Sequence, residues 1–441
     1  MIKLNRSCKE FAKNFSNHSH LEVNWIWFFI DRSFNLMKPG ILLIGLLIII
    51  MSLLLREVST QNNTKKRVVE MQDTDKQMKL FLCGDVMTGR GIDQILPHPS
   101  NPEIFESYLK DARGYVTIAE KKNGLIGYPV NYKYIWGDAL KEFDRTKPDL
   151  KIINLETSIT TNNSYWKGKG IQYRMHPKNI ECLSVVKNLY CSLANNHILD
   201  WDYKGLTQTI NTLDKAEIEY AGAGIDFQAA NKPAIIEIEG KGRIIVLSYG
   251  MPSSGIFSSW AAQKNRPGVN LLKDLSQAGI QEIKALVETV KQPGDIVVFS
   301  LHWGGNWGYE IHSNEMEFVH SLIDTAQIDV FHGHSSHHFK AIEVYNNKLI
   351  LYGCGDFLND YEGIGGKESY RSELTLMYFA NIDPETGNLI KLEITPMEIK
   401  NFRVNEVVTS DLLLVKDRLN RECKRYNSSV TLQNNRLLYN W

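Results

Sequence analysis

The amino-acid sequence predicts an α/β fold, on three observations. Seven short apolar runs recur along the chain: "KLFLCGD" (79–85), "LKIINLE" (150–156), "LYCSLANNH" (189–197), "RIIVLS" (243–248), "DIVVFSLHW" (295–303), "IDVFHGH" (328–334) and "KLILYGCGDF" (348–357). Several lack the alternation of a half-exposed strand, as strands covered on both faces do. Between them lie stretches of helical period. Leu206, Ile210 and Leu213 keep i, i+4, i+7 spacing, and Ile283, Leu286, Val287 and Val290 repeat it and stop before Pro293-Gly294. Strands alternating with helices make a layered α/β domain. The third observation is that successive runs end in carboxylates, amides or imidazoles.

Taken in order, the chain opens with residues 1–38, read as a cytoplasmic tail, with Met37-Lys38 as an alternative start. Residues 39–55, "PGILLIGLLIIIMSLLL", carry no charge and, at 17 residues, meet the lower limit for a transmembrane helix. The preceding excess of Lys3, Arg6, Lys9, Lys13, Arg32 and Lys38 over Glu10, Glu22 and Asp31 keeps that side in the cytoplasm. The expected location is therefore the cell membrane, single-pass, with the main domain extracytoplasmic. Polar residues 56–78 read as a linker, 79–405 as the main domain, and 406–441 as an amphipathic helix and a short strand packed on it. "GAGIDFQAAN" (222–231) lacks the full dinucleotide-binding spacing and reads as a loop.

Composition narrows the function. Lysine plus arginine number 50 and aspartate plus glutamate 50, which argues against a nucleic-acid partner. The six cysteines have no CxxC spacing, and Cys83, Cys191 and Cys354 fall in or beside apolar runs as small buried hydrophobes.

The strand ends hold the chemistry. Asp85 ends the first run, Glu156 the second, Asn195-Asn196-His197 the third and His302 the fifth, while His332, His334, His337 and His338 follow the sixth. Ligands of open α/β sheets bind at the carboxyl ends of strands. Carboxylates, an amide oxygen and imidazoles suit divalent manganese, iron, zinc or magnesium. Against this pattern, His332 reads as packed or supporting, His338 as exposed, and Asp356 as a cap of the strand-to-loop turn. Glu362 lines the pocket or caps the same turn. Trp303 and Trp307 fit a groove or the core equally. Arg90, Lys167, Lys169 and Arg174 are candidates for gripping substrate carboxylates, with ordinary surface charge as the competing reading of each.

The segments "FLCGDVMTGRGID", "YIWGDAL", "INLETSIT", "YRMHP", "SLANNHILDWDYKGLTQTINTLDKAEIEYAGAG", "SLHWGGNW" and "GHSSHHFKAIEVYNNKLILYGCGDFLNDYEG" resemble the poly-γ-glutamate capsule-synthesis family CapA over roughly residues 79–405. The resemblance implies a four-layer α/β/β/α sandwich similar to calcineurin-like metallophosphatases, with a two-metal site. It makes Asp85, Asn196, His302, His334 and His337 metal ligands, Glu156 the bridging carboxylate, and His197 the proton donor. The chain departs from the phosphatase pattern at Met87, where Asp-x-His would place a histidine, and in its wider His334-x-x-His337. The implied partners are the membrane, poly-γ-glutamate or a similar anionic polymer, and membrane subunits of a capsule synthase. Three roles follow: metal-assisted hydrolysis or transfer at an amide or phosphoester of the polymer, non-catalytic handling of the polymer, or an extracytoplasmic phosphoesterase.

Overall fold

Residues 76–441 are described by a computed structural model of the protein and form one unit. The tail, the apolar run at 39–55 and nearly all of the linker lie outside the described residues. Among those described, no helix is long and apolar enough to cross a membrane.

Sixteen strands build two large sheets. In chain order they are β1 (Met78–Val86), β2 (Leu150–Leu155), β3 (Leu189–Ser192), β4 (Glu219–Ala221), β5 (Ala234–Ile238), β6 (Gly242–Gly250), β7 (Ile296–His302), β8 (Val330–His334), β9 (Ile342–Tyr345) and β10 (Lys348–Leu351). There follow β11 (Asp356–Leu358), β12 (Leu374–Ile382), β13 (Leu389–Ile399), β14 (Val404–Glu406), β15 (Ser429–Gln433) and β16 (Arg436–Asn440). The first sheet runs β15-β16-β13-β12-β1-β2-β3-β4, with β11 beside the end of β1 and β14 beside β13; the second runs β9-β10-β8-β7-β6-β5. All seven apolar runs are strands. The ladder β1-β2-β3-β4 is parallel, as are β6-β7-β8-β10, so each sheet gathers several carboxyl ends on one side.

Alternation along β1 decides what each face meets. Met78, Leu80 and Leu82 share a core with the second sheet, whereas Phe81 and Cys83 share one with helices Arg113–Asn123 and Ala139–Thr146. Ser192 Oγ of β3 donates to Ser300 Oγ of β7 at 2.7 Å, which turns the even-numbered residues of β7 toward the first sheet. The odd-numbered Val297, Phe299 and Leu301 join Ile280, Ile283, Phe318 and Leu322 of helices Gln277–Val290 and Ser313–Ala326. These buried aliphatic and aromatic residues form the hydrophobic core that holds the strands in place. The five described cysteines are buried, free thiols.

Three local expectations are corrected. The C-terminal part is a helix, Thr409–Cys423, followed by two strands rather than one. Asn434 and Asn435, at φ 51° and 60°, close β15 onto β16 in a tight hairpin of the kind that favours asparagine. The stretch 222–231 is more than a loop: Ala223–Gly224 pairs with Gly268–Val269, and Asp226 caps helix Phe227–Asn231 by accepting from the Ala229 N–H. His338, expected at the surface, is 1% exposed, because its Nε2 accepts from the Gly308 N–H at 3.1 Å and its ring packs on Trp307, Tyr309 and Tyr370.

One close approach sets the position of Asp85. The Asp85 N–H donates to the Gly355 carbonyl at 3.0 Å, and a Cβ on Gly84 would lie 1.7 Å from that oxygen. Only glycine lets β1 and the 354–356 segment touch here. Gly84→Ala is therefore expected to destabilise the chain by about 3 kcal/mol, read as a lowered urea midpoint; an unchanged midpoint would contradict this packing.

Candidate metal centre

Register brings the strand-end residues together. Asp85 pairs with Asn154 of β2 on one side and with Asp356 of β11 on the other, and His302 pairs with His334 across the second sheet. Two groups of potential ligand atoms result, each with its atoms within 4.8 Å of one another: Asp85 with His302 and His334, and Asp85 with Glu156 and Asp356. All five residues are buried. The Nδ1 atoms of His302 and His334 are 2.9 Å apart and lie 3.9 and 3.8 Å from Asp85 Oδ1. Those edges are close to what ligands about 2.0–2.2 Å from one cation would span. Asp85 belongs to both groups, whereas the resemblance gives the bridging role to Glu156.

Neighbouring side chains fix these ligand atoms. Asn154 Nδ2 donates to Asp85 Oδ1 at 2.7 Å, and Asn195 Nδ2 in turn donates to Asn154 Oδ1. Ser300 Oγ lies 2.9 Å from His334 Nε2, leaving Nδ1 toward the centre. His332 stands behind, between Ser300 and the Cys83 carbonyl, in the supporting place expected of it.

The other sequence-derived candidates fall in three places. Asn196 Oδ1 is 3.0 Å from His302 Nε2, at the edge of the centre, and His337 Nδ1 is 2.9 Å from Asp356 Oδ1 without an atom in either group. His197 Nε2 is 3.7 Å from Glu156 Oε1, with Nδ1 2.6 Å from Asp200 Oδ2. Its ring stacks on Tyr173, centroids 3.7 Å apart, and Lys169 Nζ is 2.9 Å from Nδ1 and also bonded to Asp200. The remaining three lie apart. Arg90 is buried and gives its donors to Asp360, Glu106 and Tyr115. Arg174 lies over Trp201 and bonds Asn162, Asn163 and Asn101, and Lys167 is exposed beside Tyr165.

Sequence reasoning missed Asp356, Asp200, Asn154 and Tyr173. Asp356 had a legible signal: "CGD" occurs at 83–85 and again at 354–356, each time at the end of an apolar run.

Burial governs the electrostatics. Desolvation, reinforced by the neighbouring Asp356, pushes Asp85 up to about 8, and desolvation plus Asp85 drives Glu156 well above the usual carboxylate range. Burial drives His302, His334 and His197 well below the ordinary imidazole value, which leaves neutral rings with a free lone pair. Burial opposes charge on His337 too, but the Asp356 carboxylate outweighs it and raises that ring.

The family profile described as bacterial capsule synthesis protein PGA_cap matches residues 79–361, a span that contains every residue of the centre. The chain belongs to this family. Within 81% of its length it is 46% identical, over 360 residues, to 94% of a Mycobacterium tuberculosis protein named probable polyglutamine synthesis accessory protein. The PGA biosynthesis protein CapA of Bacillus subtilis is 25% identical over 330 residues, covering 74% of this PGA_cap chain and 73% of the relative. A hypothetical protein from Thermus thermophilus aligns in structure over 73% of this chain and 99% of its own, with 16% identity and a TM-score of 0.39.

Replacing His302 removes one corner of the first group but leaves the β7 ladder intact. His302→Ala is expected to retain at least half of the wild-type melting amplitude while losing most co-purifying divalent metal, measured by elemental analysis. Unchanged metal content in a folded variant would remove His302 from the ligand set.

Proposed function

We propose that this PGA_cap chain performs metal-assisted hydrolysis or transfer at an amide or phosphoester during synthesis, export or attachment of an anionic capsule polymer of the poly-γ-glutamate type. The supporting observation is the pair of buried groups that share Asp85. Three carboxylates this close and this buried repel one another, and divalent cations are the natural counter-charge. Two neutral imidazoles with converging lone pairs complete a donor set suited to manganese, iron, zinc or magnesium. The residues therefore fit a two-cation centre of the metallophosphatase kind, in a four-layer α/β/β/α sandwich. The relatives' names bring the polymer, and a general role in capsule biosynthesis, to this chain. In this reading residues 39–55 anchor the domain to the outer face of the cell membrane, beside membrane subunits of the synthase.

Asp85, Glu156, Asp356, His302 and His334 would hold the cations, which supply the charge that polarises an amide or phosphoryl oxygen and eases deprotonation of water. The chain's own part is orientation and proton transfer. Asn154 fixes the Asp85 carboxylate, and Asn195 fixes Asn154. Asp200 accepts at His197 Nδ1 and orients the neutral ring, so that Nε2 can take a proton from the attacking water and pass it to the leaving group. Tyr173 keeps the ring plane, so Nε2 stays directed toward Glu156.

A second reading, a polymer-handling subunit without chemistry of its own, is favoured by Met87. Its thioether is buried and accepts from the Gly89 N–H at 3.1 Å, where a phosphatase-like pattern has a histidine. The two readings separate in an assay of manganese- or zinc-dependent shortening of poly-γ-glutamate and of phosphate release. The catalytic reading predicts a loss of about 10²–10⁴-fold in the Asn196→Ala/His197→Ala double variant; equal background in both proteins would favour handling.

A pH dependence follows from Asp85. A carboxyl raised to about 8 is protonated at neutral pH, so a cation must displace its proton. Apparent metal affinity should rise as pH increases from 6 toward 8, with protons released on uptake. Calorimetry in buffers of different ionisation enthalpy checks this, and uptake that releases no proton at pH 7 would contradict it.

A further inference from the structure

Tyr173 and Tyr361 meet at the edge of the centre. Their hydroxyl oxygens are 2.5 Å apart, one donating to the other. The Tyr173 ring lies flat on His197, and the Tyr361 ring stands edge-on to His337, centroids 5.4 Å apart, with His337 bonded to Asp356. The two phenols therefore sit between the His197 side of the centre, next to Glu156, and the His337 side, next to Asp356.

A count of protons makes this pair unusual. Two hydroxyls carry two protons, and only one is used in the bond between them. Among the described residues neither oxygen has a second partner. One phenolic proton is therefore free for a ligand, on a pair in which Tyr173 is buried and Tyr361 half-buried.

The surroundings hold the two phenols in place. The Arg90 guanidinium lies 4.8 Å from the Tyr173 ring centroid, 5.5 Å from that of Tyr361 and 3.9 Å from that of Tyr115. Asp360 and Glu106 hold it there, and Tyr361 follows Asp360 directly in sequence. Arg90 itself sits in the left-handed region, φ 46°, where an arginine is seldom found. Its charge is engaged by these two acids, so it does not bind substrate; it locks the two tyrosine rings in place. A phenol held rigid from behind, with a free O–H in front, is a donor arrangement for oxygen that carries or develops negative charge.

We propose that the Tyr173–Tyr361 hydroxyl pair is a substrate-binding donor, hydrogen-bonding an anionic oxygen of the ligand (a phosphoryl, carboxylate or polarised amide oxygen) at the edge of the centre. The assignment rests on the proposed cation centre, since it places that oxygen beside Glu156 and Asp356. Tyr361 is the residue in contact with ligand, and Tyr173 both shares the bond and positions His197.

The test uses the full chain loaded with manganese and inorganic phosphate as the probe, titrated calorimetrically. Tyr361→Phe and Tyr173→Phe keep both rings and remove one hydroxyl each. Each variant is expected to retain wild-type manganese stoichiometry and melting temperature and to bind phosphate about 10- to 100-fold more weakly, the usual consequence of removing a hydrogen bond to a charged group. Wild-type affinity in both variants overturns the assignment while the centre stands. A wild-type chain that takes up manganese but no phosphate also overturns it. A wild-type chain that takes up no manganese overturns the cation centre itself, and the donor assignment with it.

Discussion

Three carboxyl groups, Asp85, Glu156 and Asp356, converge within 4.8 Å at positions almost closed to water. Two like charges 4 Å apart repel by about 4 kcal/mol at an effective dielectric near 20, so such a trio persists where the fold over-determines it and protons or a cation neutralise it. Much of the surrounding structure reads as a response to that constraint. Gly84 and Gly355 let two backbone segments touch so that Asp85 and Asp356 are brought into register. Asn154 and the Ser335 N–H give Asp85 donors in place of solvent. His302 and His334 are held neutral by burial, in the protonation state that can share a cation.

Outside this cluster, the paired acids are neutralised by the chain itself. Asp360 and Glu106 meet Arg90, and Asp200 meets Lys169. These three buried acids have lysine or arginine partners, whereas the three at the centre have histidines and one another. Among the described residues, the fold sets against the central three only His337, bonded to Asp356, with Lys169 acting on Glu156 from a distance, and Asp85 has neither lysine nor arginine bonded to it.

How much of this is legible in the sequence follows from how local each signal is. The strands β1, β2, β3, β6, β7, β8 and β10 are readable because burial on both faces makes them continuous apolar runs, and their terminal polar residues locate the centre. In the antiparallel half of the first sheet β12, "LTLMYFANI", is as apolar as these, but β13 gives no such signal: "LIKLEITPMEI" mixes lysine, glutamate and proline into an 11-residue strand that has no clean period. Asp356 reads as a turn cap because its neighbours in sequence suggest one, while its partner Asp85 lies 271 positions away; the repeated "CGD" is the clue. Arg90 resembles a free substrate clamp for the same reason, since Asp360 is 270 residues distant. His338 reads as exposed because nothing local announces the aromatic wall of Trp307, Tyr309 and Tyr370 that covers it. Partners brought together by topology are invisible to a reading along the chain.

The central claim is spatial, and anomalous diffraction from crystals soaked in manganese tests it most directly. The account predicts anomalous peaks within about 2.0–2.4 Å of the Asp85 carboxylate, one shared with His302 and His334 and one with Glu156 and Asp356. An ordered centre that shows no peak there, at a manganese concentration that saturates other divalent sites, would contradict it.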